Sequence, residues 1–221
     1  MPVYKKHKLV HIHIPKTAGT ILGKYFDTQG DMSWGQDCWV GEVVRDEVCY
    51  EYQHLTMSEL MDFSAGEFKW FHSFAVIRNP YTRLISDFYW RSNISELYPD
   101  SGIRKMNSFK AFVHSVPVNI NTSWTDLIRD KTRGQANLLI HVRPQYQFVM
   151  DENGQRLVDE FLSFEKLGPD FARLLARFNQ STEIIKPPRL KTVTDYFDRE
   201  TLDRVNQIYR RDFDLGGYEM L

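Results

Sequence analysis

Two short stretches of this chain carry the residue types of anion binding. The first is Pro15-Lys16-Thr17-Ala18-Gly19-Thr20, which follows an apolar run and opens what reads as a helix. The first backbone N–H groups of a helix have no internal partner, and the helix dipole favours negative charge there. Ala18 and Gly19 are small enough for a ligand to approach the backbone. Thr17 and Thr20 add hydroxyl donors, and Lys16 supplies a mobile positive charge. A loop whose lysine merely faces solvent would be spelled the same way. The second stretch is Arg78-Asn79-Pro80-Tyr81-Thr82-Arg83, with Ser86 further on. Arg78 stands where a strand delivers a side chain to the ligand edge of a sheet, and Ser86 lies about two turns into the helix that follows. An arginine and a hydroxyl that converge on one spot make a phosphate clamp. Arg83 is expected to form a surface salt bridge instead.

Neither stretch is a nucleoside-triphosphatase loop. The pattern G-x-x-x-x-G-K-[ST] is absent, and Lys16 precedes its turn rather than following a second glycine. No strand-terminal aspartate suited to magnesium accompanies it. Taken together, the two sites imply a ligand with anionic groups at both ends. A 3′,5′-bisphosphorylated nucleoside fits, and ATP does not.

The elements that must hold these residues follow from the apolar pattern. Leu9 to Ile14 reads as a strand and Thr17 to Phe26 as a helix. Phe71 to Ile77 reads as a second strand. Asn79 is a natural N-cap with Pro80 at the first helical position, and the helix they open runs to about Arg91. Leu84, Ile85 and Phe88 recur on it at helical spacing and form a core face. Residues 93–133 read as irregular, with breaks at Pro99, Gly102 and Pro117. Beyond them a helix is expected over 133–141, a strand over 157–164, a helix over 170–178, a proline-marked loop at 186–189 and a last helix over 198–211. Strands separated by helices predict an α/β fold: a three-layer sandwich with a central parallel sheet, its ligands beyond the carboxyl ends of the strands.

Bulk properties narrow the field. The 221 residues fit a single domain over 1–221 with a full core. The formal net charge of −1 gives no reason to expect nucleic acid as a partner. Cys38 and Cys49 form neither a metal set nor a disulfide framework, and whether they pair is left open. No run reaches membrane-span length, and the N-terminus lacks the pattern of a signal peptide, so the chain reads as cytoplasmic with no transmembrane segment.

HIPKTAGT after the first strand and FAVIRNPYTRLISDFYW around the second resemble the two cofactor motifs of the membrane-associated carbohydrate sulfotransferases and their bacterial relatives. Arg143-Pro144-Gln145 with Phe148-Val149, the segment Phe161 to Leu167, and Tyr209 with Asp212-Phe213 and Gly217-Tyr218 are similar to the same family. The resemblance implies a P-loop-like sulfotransferase fold. It also implies 3′-phosphoadenosine-5′-phosphosulfate (PAPS) as co-substrate, with no metal. It assigns Lys16, Thr17, Ala18, Gly19 and Thr20 to the 5′ end of the nucleotide, and Arg78 and Ser86 to the 3′-phosphate. Lys16 would stabilise charge on the leaving phosphate oxygen. His54 falls in a segment similar to the place where glycosaminoglycan 2-O-sulfotransferases carry a catalytic histidine, and an imidazole suits a general base. His72 and Glu51 are the alternatives, while His11 and His13 are read as parts of the strand. Arg189, Lys191 and Thr192, in the late basic loop, are candidates for further nucleotide contacts.

The acceptor is read from charge. Residues 27–51 hold seven acids against one base, and residues 104–143 hold seven bases against two acids. A long polyanion would want a continuous basic track, so a neutral or singly charged carbohydrate or glycolipid is the expected partner. The competing reading is a non-catalytic nucleotide-binding protein that retains the fold.

Overall fold

The computed structural model describes residues 3–31, 42–45, 48–99, 103–120, 133–180 and 192–221. In chain order the elements are β1 (Val3–Tyr4), β2 (Leu9–Ile12), α1 (Gly19–Thr28), β3 (Glu42–Arg45), β4 (Val48–Glu51), α2 (Met57–Phe63) and β5 (His72–Ile77). They are followed by α3 (Pro80–Leu97), α4 (Phe109–Ser115), α5 (Arg133–Val142), α6 (Tyr146–Val149), β6 (Glu160–Ser163), α7 (Leu167–Ala176) and α8 (Arg199–Gly216). The chain divides into two compact units. One comprises Met1–Arg78 with Gln147–Pro188, the other Asn79–Tyr146 with Arg189–Leu221.

The first unit is built on a four-stranded sheet in the order β1-β2-β5-β6, flanked by helices. β2, β5 and β6 are parallel, as expected. β1 is antiparallel to β2, so the sheet is mixed rather than wholly parallel. The reason is the turn at Lys5–Lys8, closed by Lys8 N–H donating to the Lys5 carbonyl. A tight turn can join only antiparallel neighbours, whereas parallel ones need a crossover. β3 and β4 form a separate two-stranded hairpin that the apolar pattern did not announce.

Pleating sends alternate residues to opposite faces. Leu9, Phe74, Val76 and Leu162 join Leu22 and Phe26 of α1 and Phe171, Leu174 and Leu175 of α7 in one buried cluster. Val10, Ile12, Ala75 and Ile77, on the other face, are buried as well. Burial on both faces is what makes these strands read as nearly continuous apolar runs.

The second unit is helical among its described residues. Its core gathers Tyr81, Leu84 and Ile85 of α3, Phe112 and Val113 of α4, and Val205, Ile208 and Phe213 of α8. The Asn79 side chain accepts from the N–H groups of Tyr81 and Thr82, so the expected cap opens α3 as read. α3 runs six residues past Arg91 to Leu97, since no breaker intervenes before Pro99. α4 also lies inside the segment read as irregular, capped by Ser108. Gly217 ends α8 in the left-handed conformation, φ 64°, that glycine tolerates without steric penalty.

Candidate active site

The chain leaves β2 through a turn with unusual backbone. Lys16 has φ 68° and Ala18 φ 79°, both left-handed and neither glycine. Each such residue costs about 1–2 kcal/mol, and such conformations collect at ligand sites. The Thr17 hydroxyl donates to the Ile14 carbonyl at 2.8 Å and pins the turn from inside. That proton is therefore directed into the fold rather than outward, and Thr17 is buried. Ala18 is the N-cap of α1 and makes no side-chain capping bond. Its carbonyl already accepts from Ile21 and Leu22, at 2.9 and 3.2 Å. The amides of Gly19 and Thr20 fall in the first turn, where a helix supplies no carbonyl to receive them. The helix thus begins two residues later than its composition implied, because the left-handed pair must first turn the chain.

Gly19 is required here by contact rather than by φ. A Cβ at this position would lie 1.8 Å from Nε2 of His13. The imidazole of His13, just past the end of β2, occupies the space a side chain would need. On its other side the His13 ring lies 4.6 Å, centroid to centroid, from that of His54. His54 is 4% exposed, and its Nδ1 is 2.8 Å from the His13 carbonyl oxygen. A carbonyl only accepts, so Nδ1 carries the proton and the neutral ring has its basic lone pair on Nε2. His54 ends a short 3-10 turn, Tyr52–His54. Thr56 follows as the N-cap of α2 in a capping box, accepting from Glu59 N–H while the Glu59 carboxylate accepts from Thr56 N–H.

Arg78 joins this loop from β5. Its Nη1 donates to the Lys16 carbonyl at 2.9 Å, and its guanidinium lies 4.0 Å over the ring of Phe164. The parallel register pairs Ile77 with Ser163, so the next residues of β5 and β6 are these two. A guanidinium on an aromatic face is held by cation–π attraction as well as by its hydrogen bonds.

The first unit therefore brings together Lys16, Thr17, Ala18, Gly19, Thr20, Arg78 and His54. Ser86 lies in the second unit, half-buried on α3, and Thr192 is exposed there beside a 3-10 turn at Val193–Asp195. Arg189, Lys191 and Cys38 lie outside the described residues, as do the side chains of Cys49 and Glu51. His72 sits at the start of β5, beside Glu160 at 3.4 Å and Asp159 at 3.8 Å. That is the opposite end of the strand from Arg78, six residues or about 20 Å away. Two residues at the site escaped the sequence reading: His13, taken for a strand residue, and Phe164. The pairing of β5 with β6 was the signal that could have found Phe164.

Arg83 does not form a surface salt bridge. It is 2% exposed, and its Nη2 donates to the carbonyls of His141 and Arg143 at 2.8 and 2.9 Å. Arg83, Asp87 and Arg91 recur at helical spacing on a face of α3 that is covered, not solvated. Asp87 takes Arg91 Nε at 2.8 Å and His141 Nδ1 at 2.6 Å, and Trp90 stacks on His141 at 4.3 Å. Asp212 accepts from the N–H groups of Gln145 and Tyr146. Burial pushes its carboxyl up to about 6, against the opposing pull of Arg83 and those two N–H groups. The Arg143-Pro144-Gln145 segment is thus clamped by buried charge.

Among the described residues no helix is long and apolar enough to cross a membrane. Comparison with curated proteins and with solved structures finds no match. Comparison with protein families finds one that runs through both units: residues 1–219 match the Sulfotransferase family. With a match over nearly its whole length, this chain belongs to the sulfotransferase family.

Proposed function

We propose that the protein moves a sulfuryl group from PAPS to a hydroxyl of a carbohydrate or glycolipid. The observation that carries this reading is the turn at Lys16–Ala18. Left-handed backbone at two non-glycine residues shapes the turn that leads into α1, and Arg78 is hydrogen-bonded to the turn's own carbonyl. The 5′-phosphosulfate binds at the amides of Gly19 and Thr20, with Lys16 beside it. Arg78 takes the 3′-phosphate, its fork of donors suiting a phosphate better than a lysine would.

The acceptor oxygen attacks sulfur in line. As the new S–O bond forms, the bond from sulfur to the 5′-phosphate oxygen breaks, and adenosine 3′,5′-bisphosphate leaves with that oxygen. Lys16 stabilises the charge that gathers on it. The acceptor proton passes to Nε2 of His54, whose tautomer is set by the bond from Nδ1 to the His13 carbonyl. A neutral or singly charged acceptor suits the mixed charge of residues 27–51 and 104–143.

The test is incubation with PAPS carrying radiolabelled sulfur and a panel of glycans and glycolipids. Label should appear on an acceptor and depend on Lys16. If adenosine 3′,5′-bisphosphate binds but no acceptor on the panel is labelled, the protein is a nucleotide-binding relative without transferase activity, and this reading is wrong.

A further inference from the structure

Three groups meet at one point in the first unit. The missing side chain of residue 19 leaves a space, the His13 imidazole fills it, and the His54 imidazole lies against His13. His13 is 9% exposed and follows directly on β2, an interior strand paired on both edges. A side chain rooted there has little freedom to drift. On one flank the ring bears on Gly19, the first residue of α1 and part of the proposed anion site. On the other flank it lies 4.6 Å from the His54 ring, while the His13 carbonyl sets which nitrogen of His54 is basic. Gly19 is therefore small on the side facing His13. Its size is dictated by this ring, whatever it also allows a ligand to do.

We propose that His13 is a positioning residue that couples the donor loop to the acceptor base. The imidazole acts as a spacer between Gly19 and His54. A loop closed on its anion presses the ring into the orientation that holds His54 ready, and a displaced ring misplaces both. The reading rests on the donor and base assignments proposed above. It adds that the two are mechanically linked through one residue.

The experiment is a double-mutant cycle of wild type, Gly19→Ala, His13→Ala and the double variant. It has three readouts: melting temperature, affinity for adenosine 3′,5′-bisphosphate, and kcat and KM with PAPS. In the wild-type background the methyl of Gly19→Ala must expel the His13 ring. The expected result is a lower melting temperature, nucleotide affinity weakened by about tenfold or more, and reduced kcat. With His13 already Ala, the same substitution should change affinity by less than about threefold and lower the melting temperature less. His13→Ala alone should hold nucleotide affinity within about threefold yet lower kcat by about 10–100-fold, the cost of a small misplacement of the base. The double variant should regain affinity and not kcat.

That split is what a purely structural histidine would not produce. Should His13→Ala fail to fold, His13→Asn takes its place in both arms, since it removes the ring and keeps a polar group. The proposal is overturned if Gly19→Ala costs the same in both backgrounds, or if loss of the ring leaves kcat at the wild-type level. A wild type that transfers no sulfate defeats the functional reading instead. The melting cycle then still decides the contact: equal losses in the two backgrounds refute it.

Discussion

Arg78 and Arg83 stand five residues apart, and both are nearly buried, at 8% and 2% exposure. They belong to regions built on different terms. Arg83 spends two bonds of one nitrogen on the carbonyls of His141 and Arg143, in a face of α3 where Asp87 holds both Arg91 and His141. Arg78 lies over the ring of Phe164 and reaches the carbonyl of a turn held in left-handed backbone at Lys16 and Ala18. The first region uses buried charge to clamp a segment of chain. The second holds strained backbone at the edge of a sheet, where strain is tolerable only if something gains by it. An arginine's role is read from what its donors hold in place, and burial alone does not distinguish the two.

The sharpest break between the regions is expected in turnover. His54→Ala should cut turnover by about 10²–10⁴-fold while leaving nucleotide affinity nearly unchanged. Steady-state rates beside calorimetry check it, and near-normal turnover with the best acceptor would refute the assignment of the base. Next comes Arg83. Arg83→Met should destabilise by about 3–5 kcal/mol, because it strands buried carbonyls and removes a positive charge close to Asp212. Denaturant unfolding measures it, and a loss no larger than that of Arg78→Ala would erase the contrast drawn here.

Arg78→Ala is the mirror experiment. Its expected cost is about 1.5–3 kcal/mol in affinity for adenosine 3′,5′-bisphosphate, with AMP much less affected, as titration calorimetry would report. Equal losses for the two nucleotides would separate Arg78 from the 3′-phosphate.

A further buried group, beside His13, gives a pH signature. His11 stacks on Phe74 at 4.8 Å, and neither ring nitrogen has a hydrogen-bond partner among the described residues. Burial holds its imidazole down to about 3, from an ordinary 6.5. The fold accepts only the neutral ring. The contribution of His11 is therefore whole above pH 6.5 and drains away as the pH falls toward 3. At pH 5 the loss is about 2 kcal/mol. His11→Leu should remove that loss, so its stability should fall less than the wild type's between pH 7 and pH 5 in paired denaturant titrations. The smallest expected effect is Thr56→Ala, about 1 kcal/mol for the lost cap of α2, visible as a lower melting temperature.

The parts of the molecule legible in the sequence were those governed by local rules. Asn79-Pro80 announced the start of α3, and the small residues after β2 announced the turn that leads into α1, because caps and helix starts depend on neighbours along the chain. The errors arose where distant chain intervened. Arg83 reads as a surface salt-bridge residue, and only the arrival of residues 141–143 makes it interior. The parallel core of the sheet, β2, β5 and β6, is as expected, whereas the antiparallel β1 went unread because two residues of strand carry too little pattern to reveal a hairpin. His13 looked like one more strand residue, since nothing adjacent in sequence tells that Gly19 and His54 close on it.

By itself, then, the sequence determined the chemistry within reach: a lysine, hydroxyls and amides at the head of one helix, an arginine at the end of one strand, and a histidine between them. Their order along the chain was enough to place them near the carboxyl ends of parallel strands, because apolar period and turn residues dictate where strands stop. Only the tertiary structure decided what each was bonded to. It set Arg78 on Phe164 through the register of β5 with β6, gave the His54 proton to Nδ1 through a carbonyl 41 residues away, and required glycine at position 19 through the ring of His13. Contacts of that kind join residues distant in sequence at ångström separations, and those separations arise only when the core packs.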